Sequence, residues 1–436
     1  MKMKIHNLLG LFTSVIILAF TIKEGVSQQT ENSLFFIREN GNTGCMDRTG
    51  KIIISPSTSM QICVISNYSE GLAYIGVGNS VESAKYGYID NTGKFIIGPQ
   101  FDQVESFQDG IARVRIGNKW GLINKSGSFI VKPQFNHILP FIDGLALVNI
   151  GGIPEDCFWN IISGGKWGFI DKSGNYVIMP QFDEAYAFEE DLALVKIGNY
   201  YGYIDRTGNF VITPQFDDAD DFSEGLAAVE KDDYYGFVDK RGDFVINPIF
   251  DDANNFSGGL AIVAIEDDES FRQTYGVINK KGKFMVNPQY EKIYDFSDGL
   301  ALIVNYKNNK FGYINREGIC VIRPQFDCAS DFNEGVAVVV FDKKWGIIDK
   351  RGEFIVFPQF EYDGRYYGLD CHIDNIFHEG LARVKVNDKW GFVDRTGCFI
   401  IPPQFNRVDN FFGGLAEIDG GRGYIDKTGR TVWYTK

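Results

Sequence analysis

The chain has 436 residues, 44% of them hydrophobic and 15% aromatic, which is ample for a continuous core but long for one ordinary domain. Its 57 acidic against 43 basic side chains give a net charge of −14, which excludes nucleic acid as a partner and disfavours anionic lipid, because phosphate contacts need Lys and Arg. Seven cysteines at positions that do not repeat exclude a disulfide framework.

In chain order, residues 1–27 come first and differ from everything after them. Lys2 and Lys4 precede an apolar run from Leu8 to Phe20, and Gly25 and Ser27 offer small residues for cleavage. This is the form of a secretory signal peptide, with a run short for a membrane span; an uncleaved anchor is the alternative. Removing the segment takes the net charge to −16. No other stretch is long and apolar enough to span a bilayer, so the expected location is the periplasm, the cell surface or the medium.

An aromatic-Gly pair then sets a rhythm: Tyr86-Gly87, Trp120-Gly121, Trp167-Gly168, Tyr201-Gly202, Tyr235-Gly236, Tyr275-Gly276, Phe311-Gly312, Trp345-Gly346 and Trp390-Gly391. Successive glycines lie 34, 47, 34, 34, 40, 36, 34 and 45 residues apart, so the period is 34 and the longer gaps are insertions, near 151–165, 266–274 and 362–374. Residues 28–85 and 422–436 read as worn end copies that cap an array over 86–421. Several glycines and a proline per unit rule out paired helices. Alternation, as in Leu381-Ala382-Arg383-Val384-Lys385-Val386, predicts strands. The expected fold is all-β: ten or eleven three-stranded meanders stacked in an elongated, superhelical, solenoid-like array, with one or two β-propellers as the alternative, because the unit count exceeds the usual four to eight blades. Pro-Gln-Phe is expected to leave the sheet, with Phe222, Phe256, Phe296 and Phe332 beneath the following one.

The hairpin with its downstream Gly, Pro-Gln-Phe and Gly-Leu-Ala resembles the WG repeat family of bacterial proteins, also called KWG repeats, from about residue 40 to the end. The resemblance implies a β-rich repeat domain, often exported, that binds or scaffolds. It implies no activity and no shared catalytic residues.

The residues themselves point the same way. Only His137, His372 and His378 follow the leader, and no nucleophile elbow, phosphate-binding loop or His-Glu-x-x-His is present. No catalytic residue, metal or cofactor is therefore assigned, and the chain is expected not to be an enzyme. Asp370, Cys371, His372 and His378 match no zinc spacing. Acidic pairs such as Asp217-Asp218 and Asp251-Asp252 recur after Pro-Gln-Phe, where Asp holds turning backbone, and this outweighs calcium or glycosidase chemistry. Trp120, Tyr201, Phe311 and Trp345 share one slot, and the interchange of rings suits a core. Cys320, in a phenylalanine slot, reads as a small buried hydrophobe. One or two bridges could form after export, with Cys45–Cys63 as the candidate considered, and no pairing is assigned.

The variable position between the Ala and Val of each Gly-Leu-Ala strand is the candidate contact stripe: Arg113, Leu147, Leu194, Ala228, Ile262, Leu302, Val338 and Arg383, expected to face away from the core. Tyr362, Arg365, Tyr366 and Tyr367 form a candidate surface loop. The expected role is a protein-binding scaffold in the cell envelope. The alternative is a glycan- or peptidoglycan-binding module, which would need exposed rings at recurring positions.

Overall fold

The computed structural model describes residues 33–39, 41–56, 60–154, 162–267, 272–305, 308–361, 373 and 376–435. They fall into two compact units, one running up to Gly110 and resuming at Arg407, the other running from Ile111 to Asn406. Eleven antiparallel sheets are formed, of three strands in the first and last and four in each between, together with a two-stranded ribbon.

One sheet of the second unit shows how the repeat folds. Its strands are Asp218–Ala219, Leu226–Lys231, Tyr234–Asp239 and Phe244–Phe250, side by side in chain order. The stretch expected to be a connector thus supplies a fourth strand, with Asp218 opposite Glu230 and Ala219 opposite Val229. Pro248 does not leave the sheet. It lies inside the last strand, which is an edge, so its missing N–H breaks no ladder bond. Tyr235 pairs with Phe250 and Phe237 with Ile246, so Gly236 alone faces the three residues Asn247, Pro248 and Ile249. That bulge crosses so close that a Cβ on Gly236 would stand 2.6 Å from the Ile246 carbonyl oxygen and 2.7 Å from the Pro248 nitrogen. The invariable glycine after the aromatic follows from this crossing.

Both faces of the sheet are buried. Ala227, Val229 and Val238 pack against Leu194, Tyr203 and Phe216 of the sheet before, while Ala228, Phe237 and Phe250 pack against Phe256, Val263 and Ile278 of the sheet after. Period-two alternation therefore sorts side chains between two neighbours and not between core and solvent. The connecting phenylalanines lie between two sheets: Phe222 meets Tyr203 of the preceding sheet at 4.7 Å and shares a core with Ala227 and Val229 of its own, and Phe256 meets Phe237 at 4.7 Å and shares a core with Ala261 and Val263.

In the first unit the first and last sheets meet. Phe35, Ile37 and Met46 of the first sheet share a core with Leu415 and Tyr424 of the last, with the Phe35 and Tyr424 rings 5.4 Å apart. Four-stranded meanders packed face to face, with the last against the first, are blades of a β-propeller. The expected three-stranded solenoid is overturned. The number of units had weighed against a propeller, but a repeated blade needs only its two neighbours.

Among the described cysteines, Cys45 and Cys63 are both free thiols, not a pair, and Cys328 is disulfide-bonded. Cys320 is exposed and not buried, because its phenylalanine slot lies on the outer edge strand.

Candidate partner-binding face

The proposed contact stripe is largely interior. Leu147, Leu194, Ala228, Ile262, Leu302 and Val338 are all buried, since the face expected to meet solvent meets the next sheet instead. Arg113 is half-buried and donates from Nη1 to the Ile138 carbonyl oxygen at 2.5 Å. Arg383 is exposed, with its guanidinium 5.6 Å from the Trp390 ring centre. Tyr362, Arg365, Tyr366 and Tyr367 lie outside the described residues, as do residues 1–27, Asp370, Cys371 and His372. The shared aromatic slot is core: Trp120 is 3% exposed, Trp345 4% and Phe311 0%. Among the described residues no three His, Cys, Asp or Glu side chains are grouped to hold a metal ion, and no helix is long and apolar enough to cross a membrane.

What sequence reasoning missed is that the three insertions share one edge of the blades. Strand direction fixes this. The hairpin between second and third strands, and the exit from the fourth, lie at the same end of every sheet. The first insertion rises from the hairpin closed by Ile150 and Lys166, where Ile153–Pro154 pairs with Ile162–Ser163. The second lengthens the hairpin of Leu260–Asp267 and Arg272–Asn279 by the pairs Glu266–Gln273 and Asp267–Arg272. The third leaves from Glu361, which pairs with Lys344 at the start of its neighbouring strand. The signal was present in the spacing: each insertion falls either inside the hairpin before the aromatic-Gly pair or just after Pro-Gln-Phe.

The Asp after Pro-Gln-Phe closes this edge. Its carboxylate accepts backbone N–H groups from the hairpin turn, Gly198 to Asp183 at 2.9 Å, Asp232 to Asp217 at 3.2 Å and Asp342 to Asp327 at 2.8 Å. The lysine opening the third strand adds an ion pair or hydrogen bond 17 residues along: Lys166 to Asp183 at 2.6 Å, Lys119 to Asn136 at 2.8 Å, Lys389 to Asn406 at 2.6 Å, and Lys310 to Asp327. These pairs are exposed or half-exposed, so each contributes little to stability, but together they order the edge.

Asp221, which follows the first strand of its sheet, departs from this pattern. Its Oδ1 is buried without a hydrogen-bond partner, and burial, then the charges of Asp220 and Glu189, push its carboxyl up to about 7. A folded-state value above the unfolded ~3.9 means that the fold holds the proton more tightly. The resulting penalty is absent below about pH 4, grows up to about pH 7 and is constant above it. The next repeat carries Asn255 at the same position. Asp221→Asn is therefore expected to raise the melting temperature by an amount that increases from pH 4 to about pH 7 and then levels off, measured by scanning calorimetry. A shift of equal size at every pH would contradict this reading.

A propeller of repeated blades, with ordered turns and insertions along one edge, defines a tandem-repeat β-propeller. The chain belongs to the WG repeat family: the family described as the WG containing repeat matches residues 86–120, 120–152, 167–201, 201–235, 235–267, 275–310, 311–345, 345–390 and 390–418. No curated protein matches it. Among solved structures it is similar to a eukaryotic initiation factor (9% identity, 74% of this chain and 95% of that one, TM-score 0.38). It is also similar to the Dos1 propeller (12%, 63% and 87%, TM-score 0.31) and to Hsv2 of Kluyvelomyces marxianus (9%, 58% and 86%, TM-score 0.31).

Proposed function

We propose that this WG-repeat chain is an exported, non-catalytic scaffold that binds protein in the cell envelope, using the insertion-bearing edge of its second unit. The observation that carries the reading is that all three insertions spring from one edge of otherwise uniform blades. Loops on a rigid repeated frame can vary without disturbing the core, and recognition is commonly placed there. Export rests on the leader-like residues 1–27, and the non-catalytic role rests on the lack of any motif that would carry chemistry. Trp120, Phe311 and Trp345 are buried and offer no ring face to a sugar, which favours protein over a glycan read by that slot.

The test is capture from the native envelope fraction with the tagged chain, with and without digestion of wall polysaccharide. The expected result is a stoichiometric protein, retained after digestion, whose cross-links map to the insertion-bearing edge. Capture that vanishes on digestion, or no capture, would overturn the proposal.

A further inference from the structure

We infer that two adjacent sheets on this edge, Glu184 to Phe216 and Asp218 to Phe250, form a seat for a Lys/Arg-rich segment of a protein partner; this rests on the scaffold reading and deepens it. Here alone two successive sheets replace the lysine that opens the third strand with tyrosine, Tyr200 and Tyr234. The two tyrosines are 50% and 48% exposed, at the same register position of sheets that pack on one another. Asp217 and Asp251 consequently lack the lysine of that slot. They hold only the backbone N–H groups of Asp232 (3.2 Å) and Glu266 (2.8 Å).

The two sheets lie between insertions. On one side stands the ribbon of Ile153–Pro154 and Ile162–Ser163, with Ile153 69% exposed. On the other stands the lengthened hairpin, two residue pairs, or about 7 Å, taller than its neighbours. The result is a floor bearing two tyrosines, walled at both ends.

Charge names the occupant. Asp217, Asp232 and Asp233 stand at the turn beside Tyr234, and Asp251 closes the next turn, while Asp218 is already held by the Tyr235 hydroxyl at 2.8 Å. Lys196 is already engaged by Glu184 at 2.9 Å and Arg272 of the taller hairpin by Glu291 at 3.3 Å, and Lys231 stands opposite Tyr234. The partner must bring the positive charge that the two lysine-to-tyrosine replacements removed. Tyrosine faces accept ammonium and guanidinium groups. The same chain does this internally, with Lys196 4.5 Å from the Tyr201 ring centre. An extended basic peptide meets both requirements, with cations on the carboxylates and over the rings.

The probe is fluorescein-labelled nona-arginine, titrated by anisotropy with the full chain at physiological salt. Saturable binding is expected. The double variant Tyr200→Lys with Tyr234→Lys restores the residue that the other sheets carry, so the blades retain their fold, and it should weaken binding tenfold or more. Val177→Lys with Val211→Lys adds the same charge on exposed outer-edge positions and should weaken it less than threefold. Absence of saturable binding, or equal losses in the two variants, would overturn the seat. Repeating the envelope capture with Tyr200→Lys/Tyr234→Lys separates the two ideas. A partner retained by the variant removes the seat and leaves the scaffold; a wild-type chain that captures nothing removes the scaffold itself.

Discussion

Replacing Gly236 by alanine is expected to destabilise the second unit by about 3 kcal/mol or more, although the change adds one methyl group to a strand. The added Cβ meets backbone and not a yielding side chain, with the Ile246 oxygen at 2.6 Å, the Pro248 nitrogen at 2.7 Å and the Asn247 carbonyl carbon at 2.9 Å. The bulged edge strand would have to lift away, breaking its pairing with Tyr235 and Phe237 and opening the core in which Phe237 and Phe250 are fully buried. Gly98 supplies the control. It also sits in an outer strand, nothing lies within 4 Å of its would-be Cβ, and its φ is not left-handed, so Gly98→Ala should be neutral or slightly stabilising. Urea unfolding of both variants reads the difference. Equal midpoints would show that the aromatic-Gly glycine is not held by the bulge.

Deleting residues 407–436 is expected to have a still larger effect. In an open solenoid this would remove one terminal unit and leave the rest folded. Here it strips Leu415 and Tyr424 from Phe35, Ile37 and Met46, and Val432 from Gly50. Burying each large apolar side chain contributes about 1.5–3 kcal/mol, so loss of this shared core approaches the whole stability of an ordinary domain, about 5–15 kcal/mol. The truncated chain should aggregate and bind a hydrophobic dye strongly. A soluble monomer with an unchanged melting temperature would count against the packing of the two ends.

Much of this was legible from residues. The period of 34, the β content, the hairpin glycines and the core nature of the Trp120 and Trp345 slot all follow from spacing and alternation. The turn-holding role of Asp217 and Asp251 was also readable, because Asp, Asn or Glu recurs at this bend from copy to copy and a recurring residue at a bend is structural. The fourth strand was not. Asp218–Ala219 is two residues long and polar at one of them, and its pairing with Glu230 and Val229 leaves no periodic trace. Without it the sheet appears three-stranded, and the solenoid stands ahead of the propeller. The contact stripe failed for a related reason: Leu194 and Leu302 alternate with Ala and Val whether the other face meets water or a second sheet, and alternation cannot distinguish these cases. Proline misled at Pro248, since a ladder-breaking residue is tolerated on an edge strand. The pair Tyr200 and Tyr234 was visible as a departure from lysine, but its meaning required knowing which edge the insertions occupy.

The central claim is that the first and last sheets of the chain pack together, as propeller blades do. It is tested most directly by the distance between them. Spin labels carried on unnatural amino acids at the exposed positions Lys51 and Thr431, beside the contact of Gly50 with Val432, leave the native cysteines untouched. Pulsed dipolar spectroscopy should give one narrow distribution below about 30 Å, the spacing of neighbouring sheets plus the label arms. Eleven sheets stacked openly at about 10 Å each would put the same labels on the order of 100 Å apart, and a distribution beyond about 60 Å would contradict the account.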